Sequence, residues 1–312
     1  MERKKLILDC DPGHDDAVAL MLAAKDPSIE LLGVTTVRGN QTLEKTTRNA
    51  LDVCQWLGLD DLPVCRGCAV PLVNSNAHTA EAVHGDSGLE GPVFPPLTKQ
   101  LDPRSAVSFI IEQIKAYPDK VTIAITGPMT NVALAMRVAP EIVEHIAQIV
   151  FMGGSWGYGN CNPAAEFNIL TDPEAADIVF RSGVPLVMMG LDLTRQALCY
   201  PEIVDRMDKI GNKASKLFVD LMRFFCQKQK ETSGWPGGPL HDATTIAYLI
   251  DPTLIETRSM YGEIDLSHGP SYGRTNCDVF HISTDAPDNV DVSVKLDVDR
   301  FWDLVEKSLR RY

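Results

Sequence analysis

Eight residues near the start of the chain, Asp9-Cys10-Asp11-Pro12-Gly13-His14-Asp15-Asp16, bring four carboxylates together directly after the apolar run Leu6-Ile7-Leu8. Like charges this close repel unless a cation or several hydrogen-bond donors neutralise them. Oxygen donors of this kind suit a hard cation such as Ca2+ or Mg2+. The Pro-Gly step reads as the end of a strand and the start of a helix, where α/β enzymes place ligands. An EF-hand is excluded, because the Glu required at the loop's twelfth position would fall on Leu20.

Further polar clusters follow apolar runs in the same way: Gly39-Asn40, Thr126-Gly127-Pro128, the stretch 153–168 and Asp192. In a parallel sheet such strand ends share one rim, so the clusters are expected to converge. Asp242, after His241, reads on its own as a helix N-cap. Glu166-Phe167-Asn168 reads as a loop triplet. The glycines of Gly153–Gly159 fit neither the dinucleotide nor the P-loop fingerprint, and suggest a flexible loop whose backbone approaches a ligand. His84 lies in a long Pro/Gly/His loop and His14 at a helix start. His78, His145, His268 and His281 receive no role. Cys65-Arg66-Gly67-Cys68 is a lone CxxC without a second ligand pair and reads as structural.

The elements that must position these residues alternate. Strands are expected at 6–8, 29–37, 63–65, 121–126, 149–152 and 185–189. Helices are expected at 15–24, 42–57, 104–117, 131–138 and 173–181. Near-continuous apolar strands alternating with helices predict an α/β fold: a single domain, 1–312, with a mostly parallel central sheet flanked by helices. A helical cap region follows at 201–210, 213–229 and 242–250. Short C-terminal strands lie within 259–296, and a helix at 300–309 ends the pattern.

The chain has 312 residues, 45% of them hydrophobic, enough for a sizeable core. Its formal net charge of −13 argues against a general nucleic-acid binder. Only three apolar residues separate the charged start from Asp9, too few for a signal peptide, and no run approaches a membrane span. A cytoplasmic protein is expected. Eight scattered cysteines suggest no disulfide framework.

The opening motif resembles the signature of the inosine-uridine nucleoside hydrolases. Val37-Arg38-Gly39-Asn40-Gln41, His84-Gly85-Asp86-Ser87-Gly88-Leu89, Thr126-Gly127-Pro128-Met129-Thr130-Asn131 and Met152-Gly153-Gly154 look like segments of that family. So do Ala165-Glu166-Phe167-Asn168-Ile169, Asp172-Pro173-Glu174-Ala175-Ala176, Gly190-Leu191-Asp192-Leu193-Thr194 and His241-Asp242, in the family's order across nearly the whole chain.

The resemblance implies hydrolysis of the N-glycosidic bond of ribonucleosides to free base and ribose, in nucleoside salvage. It implies Ca2+ held by Asp11, Asp16 and Asp242 and by the backbone carbonyl of Thr126. Asp11 would be the general base toward a Ca2+-activated water, and His241 the acid toward the leaving base. Asp15, Asn40, Asn160, Glu166 and Asn168 would hold ribose hydroxyls, with Met152 and Phe167 packed against the sugar. His84, Gln227, Gln229 and Trp235 would form the base pocket. Pyrimidine-preferring relatives tend to carry a Tyr and a Gln in the helix here; this chain has no such Tyr. The loop after His84 favours a pyrimidine preference (uridine, cytidine), with Asp86 standing where a Glu is usual. A broad or inosine-preferring enzyme is the alternative. The family usually forms homotetramers or dimers, so a homo-oligomer is expected, with a small-molecule nucleoside as partner and no nucleic acid or membrane. Two rivals of other classes are a haloacid dehalogenase-type phosphatase, which also opens on Asp-x-Asp, and a non-catalytic nucleoside-binding protein.

Overall fold

β1 (Lys4–Cys10) runs through the interior of a nine-stranded sheet, and its sequence explains why. Leu6, Leu8 and Cys10 pack into the core on one side and Ile7 into the core on the other. Both faces are buried, so the run is apolar throughout. The computed structural model describes residues 3–73, 79–283 and 285–312, so His78 lies outside the described residues.

From β1 the chain steps outward through β2 (Ile29–Thr36), β3 (Val64–Arg66) and β4 (Asp102–Ser105). It then returns to the other side of β1 with β5 (Val121–Ile125), followed by β6 (Ile146–Met152) and β7 (Leu186–Met189). All these pairings are parallel. Val290–Leu296 continues the sheet in parallel beside β7, and Ile255–Met260 closes that edge antiparallel. The reversal between β1 and β5 is a topological switch point, where the loops leaving neighbouring strands part and leave a crevice. The two strand ends are tied there: Asp9 pairs with Ile125, and the Thr126 N–H donates to the Asp9 carbonyl at 2.8 Å.

The α/β expectation holds, with local differences. The helix expected from Arg104 begins at Ala106, because Asp102–Ser105 is an edge strand whose end, Ser105, caps it through the Ser108 N–H. An edge tolerates Pro103 in a way a central strand does not. Ile255–Met260 begins before the C-terminal strand region expected from 259; its exposed Glu256, Arg258 and Ser259 and half-buried Thr257 hide the strand signal. The cap helix at 213 runs to Ser233, one turn beyond its expected end at Gln229. Asn212 caps its start and Gly234, in the left-handed region at φ 70°, ends it. Among the described residues, no helix is long and apolar enough to cross a membrane.

Candidate active site

A cavity of about 1070 Å³ opens at the switch point. It is lined by Asp15, Asn40, His84, Thr126, Met152, Asn160, Glu166, Phe167, Asn168, Gln229, Trp235, His241 and Asp242, drawn from segments up to 227 residues apart in sequence. Most of the residues expected at the site therefore share one wall. Three do not line it: Asp11, Asp16 and Gln227.

Asp11 and Asp16 are buried close behind the wall. Asp11 accepts the Asn40 N–H on Oδ2 at 2.6 Å, while its Oδ1 is buried without any hydrogen-bond partner among the described residues. Room for this carboxylate comes from two glycines. A Cβ on Gly39 would stand 2.0 Å from Asp11 Oδ2, and one on Gly127 would stand 2.6 Å from Oδ1. Asp16 lies in the first turn of His14–Lys25. It accepts the Gly13 N–H on Oδ2 at 2.9 Å and the Thr126 hydroxyl on Oδ1 at 2.7 Å.

Carboxylate oxygens of Asp15, Asp16 and Asp242 lie within 4.8 Å of one another, a grouping that could hold a metal ion. Burial, reinforced by neighbouring carboxylates, pushes Asp11, Asp15 and Asp242 upward, Asp15 to about 7; burial raises Asp16 as well. Such a set is stable only when protons or a cation neutralise it. The unpartnered oxygen and the all-oxygen donors fit a hard cation. Asp15, expected to serve ribose, therefore stands in the same oxygen group as two of the expected metal ligands. Asp242 occupies the N-cap position of Ala243–Ile250, yet its side chain makes no capping hydrogen bond, so the cap does not explain this residue.

Several groups expected to meet ribose are already half-committed. Asn168 Nδ2 donates to the Thr126 carbonyl at 2.8 Å and the Met152 carbonyl at 3.1 Å, leaving its Oδ1 for a ligand. One lone pair of the Thr126 carbonyl is thereby used and another remains. Asn160 Oδ1 accepts the Phe167 N–H, leaving its amide N–H2 group. Glu166 is not part of a plain loop: it N-caps the short helix Phe167–Thr171. Its carboxylate accepts the N–H groups of Asn168, Ile169 and Gly154.

The glycine-rich loop is held rather than loose. Asp192 Oδ2 accepts from the Ser155 hydroxyl and the Trp156 N–H, and the loop's glycines are absent from the cavity wall. Sequence reasoning missed Tyr158, Arg195, Phe225, Ser233 and Tyr272, which do line it. The i, i+4 spacing of 225, 229 and 233 could have revealed the last turn of that face.

That spacing also corrects the expectation for Gln227. Two residues along a helix rotate a side chain to the far side. Gln227 is exposed and bonds Glu231 at 2.7 Å, whereas Gln229 lines the cavity. Gln227→Ala is expected to leave KM within about 2-fold, while Gln229→Ala should raise it by roughly 5- to 10-fold, the scale of one lost hydrogen bond. Steady-state kinetics on a nucleoside checks both, and a reversed order would reject this assignment.

Two histidines among the described residues line the cavity. His241 Nδ1 lies 2.6 Å from the Thr194 hydroxyl. Burial, with the positive charge of Arg195 adding to it, lowers His241 to about 3. His84 stacks on His14 and its Nδ1 lies 3.0 Å from His14 Nδ1; burial lowers both rings. His14 stays behind the wall, with Nε2 against the Glu90 carbonyl. His145, His268 and His281 do not line the cavity, although His268 stacks on Tyr272, which does. Burial raises Cys65 to about 12 and Cys68 to about 11, consistent with unreactive thiols.

Fold and site together define an α/β enzyme with a cation-ready carboxylate cluster at its switch point. The chain belongs to the inosine-uridine preferring nucleoside hydrolase family, whose model matches residues 6–303, and is thus a glycosidase acting on N-glycosyl compounds. The pyrimidine-specific ribonucleoside hydrolase RihB of Escherichia coli O157:H7 is 51% identical over 312 residues, covering 100% of this chain and 99% of the relative. A purine-preferring ribonucleoside hydrolase from Gardnerella vaginalis superposes with a TM-score of 0.92 at 37% identity, covering 98% of each chain. An inosine-guanosine nucleoside hydrolase superposes with a TM-score of 0.90 at 27% identity, covering 100% of this chain and 99% of the other.

Proposed function

We propose that this ribonucleoside hydrolase prefers pyrimidine nucleosides, uridine and cytidine, and that its carboxylate cluster binds Ca2+. The observation that carries the cation is the buried, unpartnered Asp11 Oδ1 behind the grouped oxygens of Asp15, Asp16 and Asp242. The base preference draws on the 51% identity to a relative named pyrimidine-specific. Asp11, Asp16, Asp242 and the Thr126 carbonyl would hold the ion, with Asp15 beside them. Bound there, Ca2+ would orient a water, lower its pKa and engage the ribose hydroxyls.

The remaining chemistry belongs to the side chains. Asp11 takes the proton of the attacking water at Oδ1. Asp15, Asn40, Asn160, Glu166 and Asn168 bind the ribose hydroxyls, and Met152 and Phe167 pack against the sugar. These contacts favour a flattened, positively polarised ribose over the ground state, which is how binding becomes rate. His241 turns toward the leaving base, with His84, Gln229 and Trp235 around it. A homotetramer acting in cytoplasmic nucleoside salvage completes the reading, by resemblance.

Ribose release from uridine, cytidine, inosine and adenosine, with and without a Ca2+ chelator, tests this. The expected result is fastest release from uridine or cytidine, abolished by chelation and restored by Ca2+. Faster release from inosine would replace the base preference with a purine or broad one. Release that survives chelation would remove the cation from the mechanism. Ligand binding without turnover by Ca2+-loaded, folded protein would favour a binding protein, and phosphate release from a sugar phosphate would favour a phosphatase.

A further inference from the structure

Thr194 ends a one-turn helix, Leu191–Thr194, that follows β7. It is fully buried, and its hydroxyl lies 2.6 Å from His241 Nδ1. Among the described residues this is the hydroxyl's single hydrogen bond. A buried O–H requires an acceptor, and stranding its proton is costly. The Thr194 hydroxyl therefore donates and Nδ1 accepts. A neutral imidazole carries one ring proton, which is then left on Nε2. Nδ1 is occupied by Thr194, so Nε2 is the nitrogen that remains for the cavity His241 lines.

We infer that Thr194 is a positioning residue: its hydroxyl fixes the ring of His241 so that the Nε2 proton faces the leaving base. The inference rests on the reading that His241 serves that base. With the other tautomer, or with the ring turned over, the departing nitrogen or oxygen would meet a lone pair, and no hydrogen bond could form as negative charge grows on it. Thr194 touches no part of the cavity itself and acts only through His241. Its neighbour Asp192 has a different task, holding the loop at Ser155 and Trp156.

The test compares Thr194→Val and Thr194→Ser with the parent, all loaded with Ca2+, on the best natural nucleoside and on p-nitrophenyl riboside. The nitrophenolate leaves without help, so it reports everything except assistance to the base. Thr194→Val is expected to lower kcat on the nucleoside by about 10- to 100-fold with KM changed less than about 3-fold. On p-nitrophenyl riboside the loss should stay within about 3-fold, and Thr194→Ser should recover most of the nucleoside rate. If the valine variant does not fold, Thr194→Ala is read against Thr194→Ser in its place. Equal losses on both substrates, or no loss on the nucleoside, would overturn the inference. His241→Ala, run in parallel, separates the two levels. If it fails to discriminate between the substrates, the reading of His241 falls and the inference with it. If it discriminates while the Thr194 variants do not, only the inference falls.

Discussion

Asp11→Asn is expected to stop turnover and, in the same variant, to raise the melting temperature of the metal-free protein. The two effects share a cause. Asp11 is fully buried beside Asp15 and Asp16, and all three carboxylates are pushed upward, first by burial. Without a cation, that arrangement costs folding free energy. Asn keeps an oxygen for the Asn40 N–H and turns its N–H2 toward the position of the unpartnered Oδ1. A charge is lost from the cluster, and the chelated protein should melt roughly 2–4 °C higher. The proposed base is lost as well, so kcat should fall by about 10³-fold or more. Ca2+ should stabilise the parent strongly and the variant weakly, because one ligand charge is gone. Thermal unfolding with Ca2+ and with chelator, beside kcat, gives all the readings. A variant that turns over normally, or melts lower when chelated, would contradict this account of Asp11.

His241→Ala should slow natural nucleosides by about 10²- to 10⁴-fold while sparing p-nitrophenyl riboside. Burial, then the charge of Arg195, lowers the ring to about 3, so at neutral pH the substrate-free site holds a neutral imidazole rather than a preformed imidazolium. Its contribution is then a hydrogen bond that strengthens as charge develops on the base, the differential kind that raises kcat. Comparison of kcat/KM on the two substrates decides the matter. Losses of similar size on both would mean that the substitution damaged the sugar site instead.

Much of this was readable from the chain because buried parallel strands announce themselves. Leu6-Ile7-Leu8 and the run at 121–126 carry no charged residue, and the residues that follow such runs must share a rim. The switch point itself was not readable, since nothing local says that β5 returns beside β1 rather than beside β4. The sequence also could not divide the acidic residues by depth. Asp11 and Asp15 carry the same carboxylate, but only Asp15 reaches the cavity wall. Asp242 stands where a helix cap is expected, and only the missing capping bond separates it from one. Glu166 went the other way: its loop-like triplet starts a helix, because a carboxylate that gathers three N–H groups can nucleate a turn the composition does not advertise. Gln227 and Gln229 differ only in helical phase, which becomes decisive once the helix is known to continue through Ser233.

Phe225, Gln229 and Ser233 project from one face of a single helix, whereas the carboxylates come from the loop after β1, the first turn of His14–Lys25 and the start of Ala243–Ile250. Under the proposed reading, part of the surface that meets the variable half of the substrate thus stands on a stretch that carries none of the carboxylates, although His241, next to Asp242, serves the base as well. Substitution along that one helix face can redirect the enzyme from one base to another while the sugar chemistry stays as it was. A lineage built on this plan can divide the nucleosides among its descendants without reinventing how the bond is broken.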